Sequence, residues 1–134
     1  MQITNFSDLL DAARAQGAPQ RLLFLFAVRE LPVNHTPGQK KRFDAGQGGA
    51  LTPVMCVDKE PGELADFAAL ARESAATGQP WDVVFAAALT GQDGAAPRAP
   101  EVERALRMMV DAVHRGAIER FIAFGAQGQA MRFT

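Results

Sequence analysis

The stretch L-L-F-L-F-A-V, from Leu22 to Val28, contains no polar residue, and V-V-F-A-A-A-L, from Val83 to Leu89, repeats that pattern. A strand with one face in water alternates apolar and polar residues, whereas a strand covered on both faces is apolar throughout. A membrane-spanning helix needs about twenty apolar residues, far more than either stretch has. We therefore predict that these two stretches are the central strands of a sheet that is covered on both faces.

Helices are predicted before and between the strands. In the segment after Pro61, the residues Leu64, Phe67, Ala68 and Ala71 follow the i, i+3, i+4, i+7 spacing of one buried helical face. Side-chain oxygens that can accept from free backbone N–H groups mark two other helix starts, at Ser7 and Thr36. The predicted helices run from Asp8 to Gln16, from Thr36 to Ala45, from Pro61 to Thr77 and from Pro100 to Arg115.

Three further strands complete the predicted sheet. Leu51–Val57 contains Pro53, which lacks the N–H that a ladder needs, so this strand is expected either to begin late or to lie towards an edge. Arg120–Phe124 and Ala130–Phe133 flank a glycine-containing connection and predict a C-terminal β-hairpin. Because strands alternate with helices, we predict an α/β fold for residues 1–134. It is a single-domain mixed sheet of about five strands with flanking helices.

The charge composition of the chain limits which classes of binding partner we expect. Fourteen basic and fifteen acidic residues leave a net charge of −1, which gives no long-range attraction to nucleic acid or anionic lipid. The basic run Lys40-Lys41-Arg42 is therefore interpreted as a solvated helix face rather than a nucleic-acid contact. The N-terminal residues do not have the pattern of a secretory signal, and the single cysteine is typical of a reducing compartment. We expect a soluble cytoplasmic protein that binds neither nucleic acid nor membrane.

The inventory of reactive side chains is small: two serines, one cysteine, two histidines, three lysines and no tyrosine. His35 and His114 have no nearby cysteine or second histidine to complete a zinc site. The glycine-rich segment from Gly46 to Gly49 precedes a strand, whereas a phosphate-binding loop follows a strand and opens a helix. We assign no catalytic residue, no metal site and no cofactor.

Cys56 is the only thiol in the chain. One interpretation is a nucleophile near a strand end, just before a helix start that would favour a thiolate. The interpretation that we prefer is a small buried hydrophobe that does not react in the native state, because Val54, Met55 and Val57 surround it in the sequence.

Polar residues follow the apolar strands at the points where the predicted strands end. In α/β sheets, ligands tend to bind beyond the carboxyl ends of the strands. Those ends carry Arg29 and Glu30, Asp58 and Lys59, and Thr90. These five residues form our candidate ligand site.

Three segments carry a resemblance to a known family: F-D-A-G-Q-G-G-A-L-T-P-V-M-C-V-D-K (Phe43–Lys59), E-L-A-D-F-A-A-L (Glu63–Leu70) and W-D-V-V-F-A-A-A-L (Trp81–Leu89). With them the chain resembles a family of short uncharacterised proteobacterial proteins that often carry the name ribonucleotide reductase alpha subunit. That enzyme needs a radical-bearing cysteine and a redox pair, three thiols in all, and this chain has one. We therefore expect no ribonucleotide reductase activity.

A second resemblance bears on topology. The L-T-P-V segment (Leu51–Val54) and the E-L-A-D-F segment (Glu63–Phe67) are similar to the enhanced serine sensitivity protein family. This resemblance implies that the first two strands are antiparallel neighbours.

Two hypotheses about function follow. The first is a non-catalytic interaction or regulatory module with a protein partner or a second copy as its ligand. Its expected contact is the edge formed by Ala130–Thr134, because a terminal hairpin strand exposes unpaired backbone groups. In the competing interpretation, the first helix or the Glu30–Ala50 connection covers this edge and the protein is a monomer. The alternative is a sensor or enzyme that binds a small molecule with the polar residues at the strand ends. We expect the first rather than an enzyme, because nucleophiles and bases are scarce.

Overall fold

One sheet of five strands forms the centre of the computed structural model, which describes residues 3–46 and 49–131. In chain order the strands are β1 (Gln20–Glu30), β2 (Ala50–Lys59), β3 (Val83–Thr90), β4 (Ile122–Gly125) and β5 (Ala130–Met131). Across the sheet their order is β2-β1-β3-β4-β5. The predicted α/β fold, with about five strands, flanking helices and a C-terminal hairpin of β4 and β5, is confirmed.

The sheet is antiparallel rather than mixed, which corrects one part of the prediction. Every neighbouring pair within the described residues is antiparallel. Strands β2 and β3 run in the same direction, but β1 lies between them and pairs antiparallel with both. β1 and β2 are antiparallel neighbours, and this is the pairing that the second resemblance implied.

The two apolar stretches lie in the inner strands β1 and β3, as predicted. Leu22 to Ala27 and Val83 to Ala86 are buried, because strands flank them on both sides and helices cover both faces. Ala88 is exposed, since β4 pairs with β3 only from Val83 to Ala86 and leaves the second half of β3 without that neighbour.

Within the described residues, four α-helices accompany the sheet: α1 (Phe6–Arg14), α2 (Pro37–Asp44), α3 (Phe67–Ala75) and α4 (Ala99–His114). Thr36 caps α2 as predicted, in a reciprocal pair of hydrogen bonds with Gln39. The predicted cap of α1 was wrong: Asn5, not Ser7, accepts from the backbone N–H of Asp8 at 2.9 Å. None of the described helices is both long and apolar enough to cross a membrane.

The segment predicted as one helix from Pro61 to Thr77 is two elements. A short 3-10 helix covers Pro61–Glu63, Leu64 is extended, and Asp66 caps α3 by accepting from Ala69 N–H at 2.9 Å. Because the helix restarts at Asp66, its buried positions are Leu70 and Ser74, and Ala68 is exposed.

Each face of the sheet has its own apolar layer. On the first face, which we call the α3 face, α1 and α3 cover the β1 residues Leu22, Phe24 and Phe26. On the opposite face, the α4 face, the helix residues Val102, Met109 and Val113 cover a second layer. Its strand residues are Leu23, Leu25, Ala27, Val83, Phe85 and Ala123.

The two edges of the sheet differ. Gln129, next to β5, forms a β-bridge with Asn5, so the chain before α1 contacts this edge. We predicted a self-association contact at this edge, in Ala130–Thr134, but Arg132, Phe133 and Thr134 lie outside the described residues. The opposite edge is β2, which has 10 residues, pairs only with β1 among the described strands, and contains Pro53. Of the two alternatives that Pro53 left open, a late start and an edge position, the structure has the edge position.

Candidate functional site

The five candidate residues lie at two opposite ends of the sheet. Glu30 pairs with Ala50, whereas Lys59 pairs with Leu22 at the other end of the same two strands. Because a strand rises by about 3.3 Å per residue, the two ends are roughly 25 Å apart. Arg29 and Glu30 therefore do not meet Asp58, Lys59 and Thr90. The predicted site required the carboxyl ends of the strands to lie at the same end of the sheet, whereas antiparallel neighbours place them at opposite ends.

Arg29 and Glu30 hold the connection between β1 and β2. The Arg29 backbone N–H donates to Asp82 Oδ2 at 2.7 Å, and its Nη2 donates to the Phe43 carbonyl at 3.3 Å. The guanidinium lies 4.6 Å from the centre of the Phe43 ring, within the range of a cation–π contact. Glu30 Oε2 accepts from Thr52 Oγ1 at 3.1 Å. The two contacts of Arg29 with Phe43 hold α2 at this end of the sheet.

At the other end, Arg21 gathers three carboxylates on one guanidinium. Its Nε donates to Asp58 Oδ2 at 2.6 Å, and Nη1 lies 3.5 Å from Glu60 Oε1 and 3.6 Å from Glu63 Oε1. The hydrogen bond with Asp58 raises the pKa of the Arg21 guanidinium above its ordinary value, so this group stays charged. Arg21 was not among the predicted site residues; the signal for it in the sequence was a cation directly before the buried stretch of β1.

Asp58, Lys59 and Thr90 do not converge, although they share this end. Asp58 and Lys59 are adjacent in β2 and therefore point to opposite faces of the sheet. Lys59 Nζ forms an ion pair with Glu73 Oε1 of α3 at 2.7 Å. Thr90 lies two strands away and donates from Oγ1 to Gln20 Oε1 at 3.2 Å. Each side chain thus has a partner within the fold.

A groove runs along β2 on the α3 face of the sheet. Phe26, Met55, Val57 and Leu70 line its apolar part, and its volume is about 220 Å³. The ion pair between Lys59 and Glu73 lies at this groove, and Thr77 Oγ1 lies 3.6 Å from Met55 Sδ, within range of a weak hydrogen bond. The groove places apolar side chains directly beside the backbone of an edge strand.

A larger cleft of about 450 Å³ lies between the end of α1 and the 3-10 helix. Arg14 borders it and donates from Nη2 to the carbonyl oxygens of Pro61 and Leu64, at 3.3 and 3.0 Å. Gln20 and Glu60 also border it, but none of the five candidate residues does. The guanidinium of Arg14 serves the backbone of the 3-10 helix, which is a structural role.

Within residues 3–46 and 49–131, no group of three or more His, Cys, Asp or Glu side chains is arranged to hold a metal ion. In the same part of the chain, every buried side-chain nitrogen or oxygen has a hydrogen-bond partner. Ser74, the buried hydroxyl of α3, donates to the Ala71 carbonyl and accepts from Trp81 Nε1, both at 2.8 Å. The Ser74 hydroxyl thus both donates and accepts a hydrogen bond within the fold.

Cys56 is exposed, so the prediction of a buried thiol was wrong. It lies opposite Leu25 in the β1–β2 pairing, and Leu25 is fully buried because strands flank it on both sides. Cys56 has no strand on its outer side, since β2 is the edge strand among the described residues.

We expect Cys56 to react with a water-soluble disulfide reagent in the native protein, because reaction with a thiol requires access. The measurement is thiol titration at neutral pH with and without denaturant. Equal end points, with the native reaction complete in minutes, are expected. A thiol that reacts only after denaturant is added would contradict the exposed position.

Comparison of the chain with protein-family models, with curated proteins and with solved structures finds no match.

Proposed function

We propose that the protein is a small non-catalytic interaction or regulatory module that self-associates in the cytoplasm. The observation that carries this proposal is the edge strand β2. Among the described residues it presents one side of its backbone without a partner strand, and the half-buried apolar residues Val54, Met55 and Val57 lie beside that edge. Folded proteins usually protect such an edge, because unpaired N–H and C=O groups recruit another chain.

The positions and contacts of the polar residues predicted as a ligand site also support an interaction module rather than an enzyme. Catalysis needs a nucleophile, a base and a stabilising group within hydrogen-bond reach of one reacting atom. Here Arg29 and Glu30 lie about 20–23 Å from Asp58 along the strands. Arg21 and Lys59 are engaged in ion pairs of 2.6 and 2.7 Å within the fold.

The alternative, a sensor or enzyme for a small molecule, has less support. Pockets for small ligands usually enclose about 300–1,000 Å³ and gather a few convergent polar groups. The groove beside β2, at about 220 Å³, is below that range. The larger cleft reaches it, but contains none of the residues that the sequence predicted for a ligand. An apolar groove along a strand edge suits a strand of another chain better than a compact polar ligand.

Size-exclusion chromatography with light scattering tests the proposal. At tens of micromolar protein we expect a mass of about twice 14.4 kDa, decreasing on dilution. The melting temperature should then rise with protein concentration, because association stabilises the folded chain by mass action. A mass of 14.4 kDa at every concentration, with a constant melting temperature, would contradict self-association.

A further inference from the structure

We propose that the partner of β2 is β2 of a second copy, paired antiparallel about a two-fold axis. The two five-stranded sheets would then form one continuous sheet of ten strands. This inference rests on the proposed self-association and names the surface that mediates it. A two-fold dimer is the commonest closed assembly, and it uses the same surface on both copies.

The segment available for pairing is Met55–Lys59. The pairing of β1 with β2 shifts register between Phe26 and Ala27, opposite Met55 and Pro53, so Val54 is an extra residue in β2. A bulge and a proline both interrupt the outer side of a strand. The first half of β2 therefore cannot pair regularly with a further strand, whereas the second half can.

The charges of this segment do not protect it. Exposed charged side chains normally prevent two edges from meeting, because like charges come together or must be desolvated. The two charges here are already neutralised within their own chain, Asp58 by Arg21 at 2.6 Å and Lys59 by Glu73 at 2.7 Å. The rest of the segment, Met55 to Val57, contains no acidic or basic residue.

The groove beside β2 supplies apolar surface to the contact. Met55 and Val57 point to the α3 face, where Phe26 and Leu70 form the inner wall of the groove. A two-fold axis perpendicular to the sheet keeps each face of one copy on the same side as that face of its partner. The two grooves therefore meet, and Met55 and Val57 of both copies cover one another.

Charge at the two ends of β2 favours the antiparallel arrangement. At the Ala50 end, the cations Arg29, Lys40, Lys41 and Arg42 outnumber the carboxylates Glu30, Asp44 and Asp82. At the Lys59 end, three carboxylates surround one guanidinium: Asp58, Glu60 and Glu63 around Arg21.

Antiparallel pairing brings the basic end of one copy to the acidic end of the other. Parallel pairing would bring like ends together. This charge complementarity favours a second copy of the chain over an unrelated strand, because each copy carries both the basic and the acidic end.

Cysteine crosslinking provides the direct test, because Cys56 is the only thiol and lies inside the paired segment. Directly opposite residues in antiparallel strands are about 5 Å apart and diagonal neighbours about 7–8 Å. A short bismaleimide should therefore join two copies of the full-length protein through Cys56 and produce a covalent dimer on a denaturing gel. The matched control moves the thiol to Val33, which is 95% exposed in the connection after β1, as Cys56→Ser with Val33→Cys. That variant should remain monomeric on the gel.

A charged substitution gives an independent readout. Cys56→Lys places two ammonium groups close to the two-fold axis, so light scattering should show a monomer at concentrations where the unchanged protein is a dimer. Met108→Lys, at a 60% exposed position of α4, should leave the dimer intact. Because both positions are exposed, both variants should remain folded and unfold cooperatively. Met108→Lys should melt at the temperature of the unchanged dimer, and Cys56→Lys at the lower temperature that the unchanged protein shows when it is diluted to a monomer.

The outcomes separate this inference from the proposed function. A dimer that persists in Cys56→Lys, and that does not crosslink through Cys56, overturns the β2 contact and leaves self-association in place. A crosslink in the control variant with Val33→Cys, together with none through Cys56, does the same and moves the contact to another surface. A protein that is monomeric without substitution overturns both and leaves the β2 edge to a partner of another kind.

Discussion

Replacing Phe85 with alanine is expected to lower the free energy of unfolding by about 3–5 kcal/mol. Phe85 lies in β3 between β1 and β4, and its side chain is fully buried in the layer beneath α4. Its ring contacts that of Phe121, with the two ring centres 6.3 Å apart and the planes at 63°. The substitution removes the apolar contact area and leaves a cavity, and strands on both sides prevent the backbone from closing it.

Urea denaturation followed by circular dichroism measures this effect. The control is Met108→Ala, which also removes a large apolar side chain but at a position that is 60% exposed. Exposed substitutions usually change stability by less than about 0.5 kcal/mol. If the two variants unfold at the same urea concentration, Phe85 does not occupy a central position in the sheet.

The central strands could be predicted from the sequence because their signal is local. Leu22–Val28 and Val83–Leu89 contain no polar residue, and this composition is typical of an inner strand that is covered on both faces. Strand direction is not local. The order β2-β1-β3 depends on how the connection between Glu30 and Ala50 returns to the sheet. Its one described helix, α2, contributes no buried residue, so apolar patterning does not indicate the path.

The candidate site failed for the same reason. Arg29, Asp58 and Thr90 were grouped because parallel strands end on one side, and the antiparallel pairing of β1 with both neighbours separates them. The burial of Cys56 also depends on strand order, since an apolar stretch does not reveal whether its strand has one neighbour or two. Pro53 was the informative residue, because proline is tolerated at an edge, and the structure has β2 there.

Gly91 has a packing role that its position in the sequence does not reveal. It follows β3, is buried, and donates its backbone N–H to the Pro19 carbonyl at 2.8 Å. A Cβ atom at this position would overlap the carbonyl oxygen of Ala95 and approach the Ala96 Cα to 3.1 Å. Ala95 donates its backbone N–H to the Gln92 carbonyl at 2.9 Å, so the turn that brings it against Gly91 is itself hydrogen-bonded.

We therefore expect Gly91→Ala to destabilise the protein by about 1–3 kcal/mol, because the atom that must move is backbone rather than the end of a flexible side chain. Gly17→Ala is the matched control: no atom lies within 4 Å of a Cβ there, and its φ is outside the left-handed region. The control should leave stability unchanged or raise it by about 0.4–1 kcal/mol, since alanine restricts the unfolded chain. Thermal unfolding of the two variants under identical conditions measures the difference. Equal melting temperatures would show that the turn from Gln92 to Ala95 does not pack against Gly91, and that there is room for a side chain directly after β3.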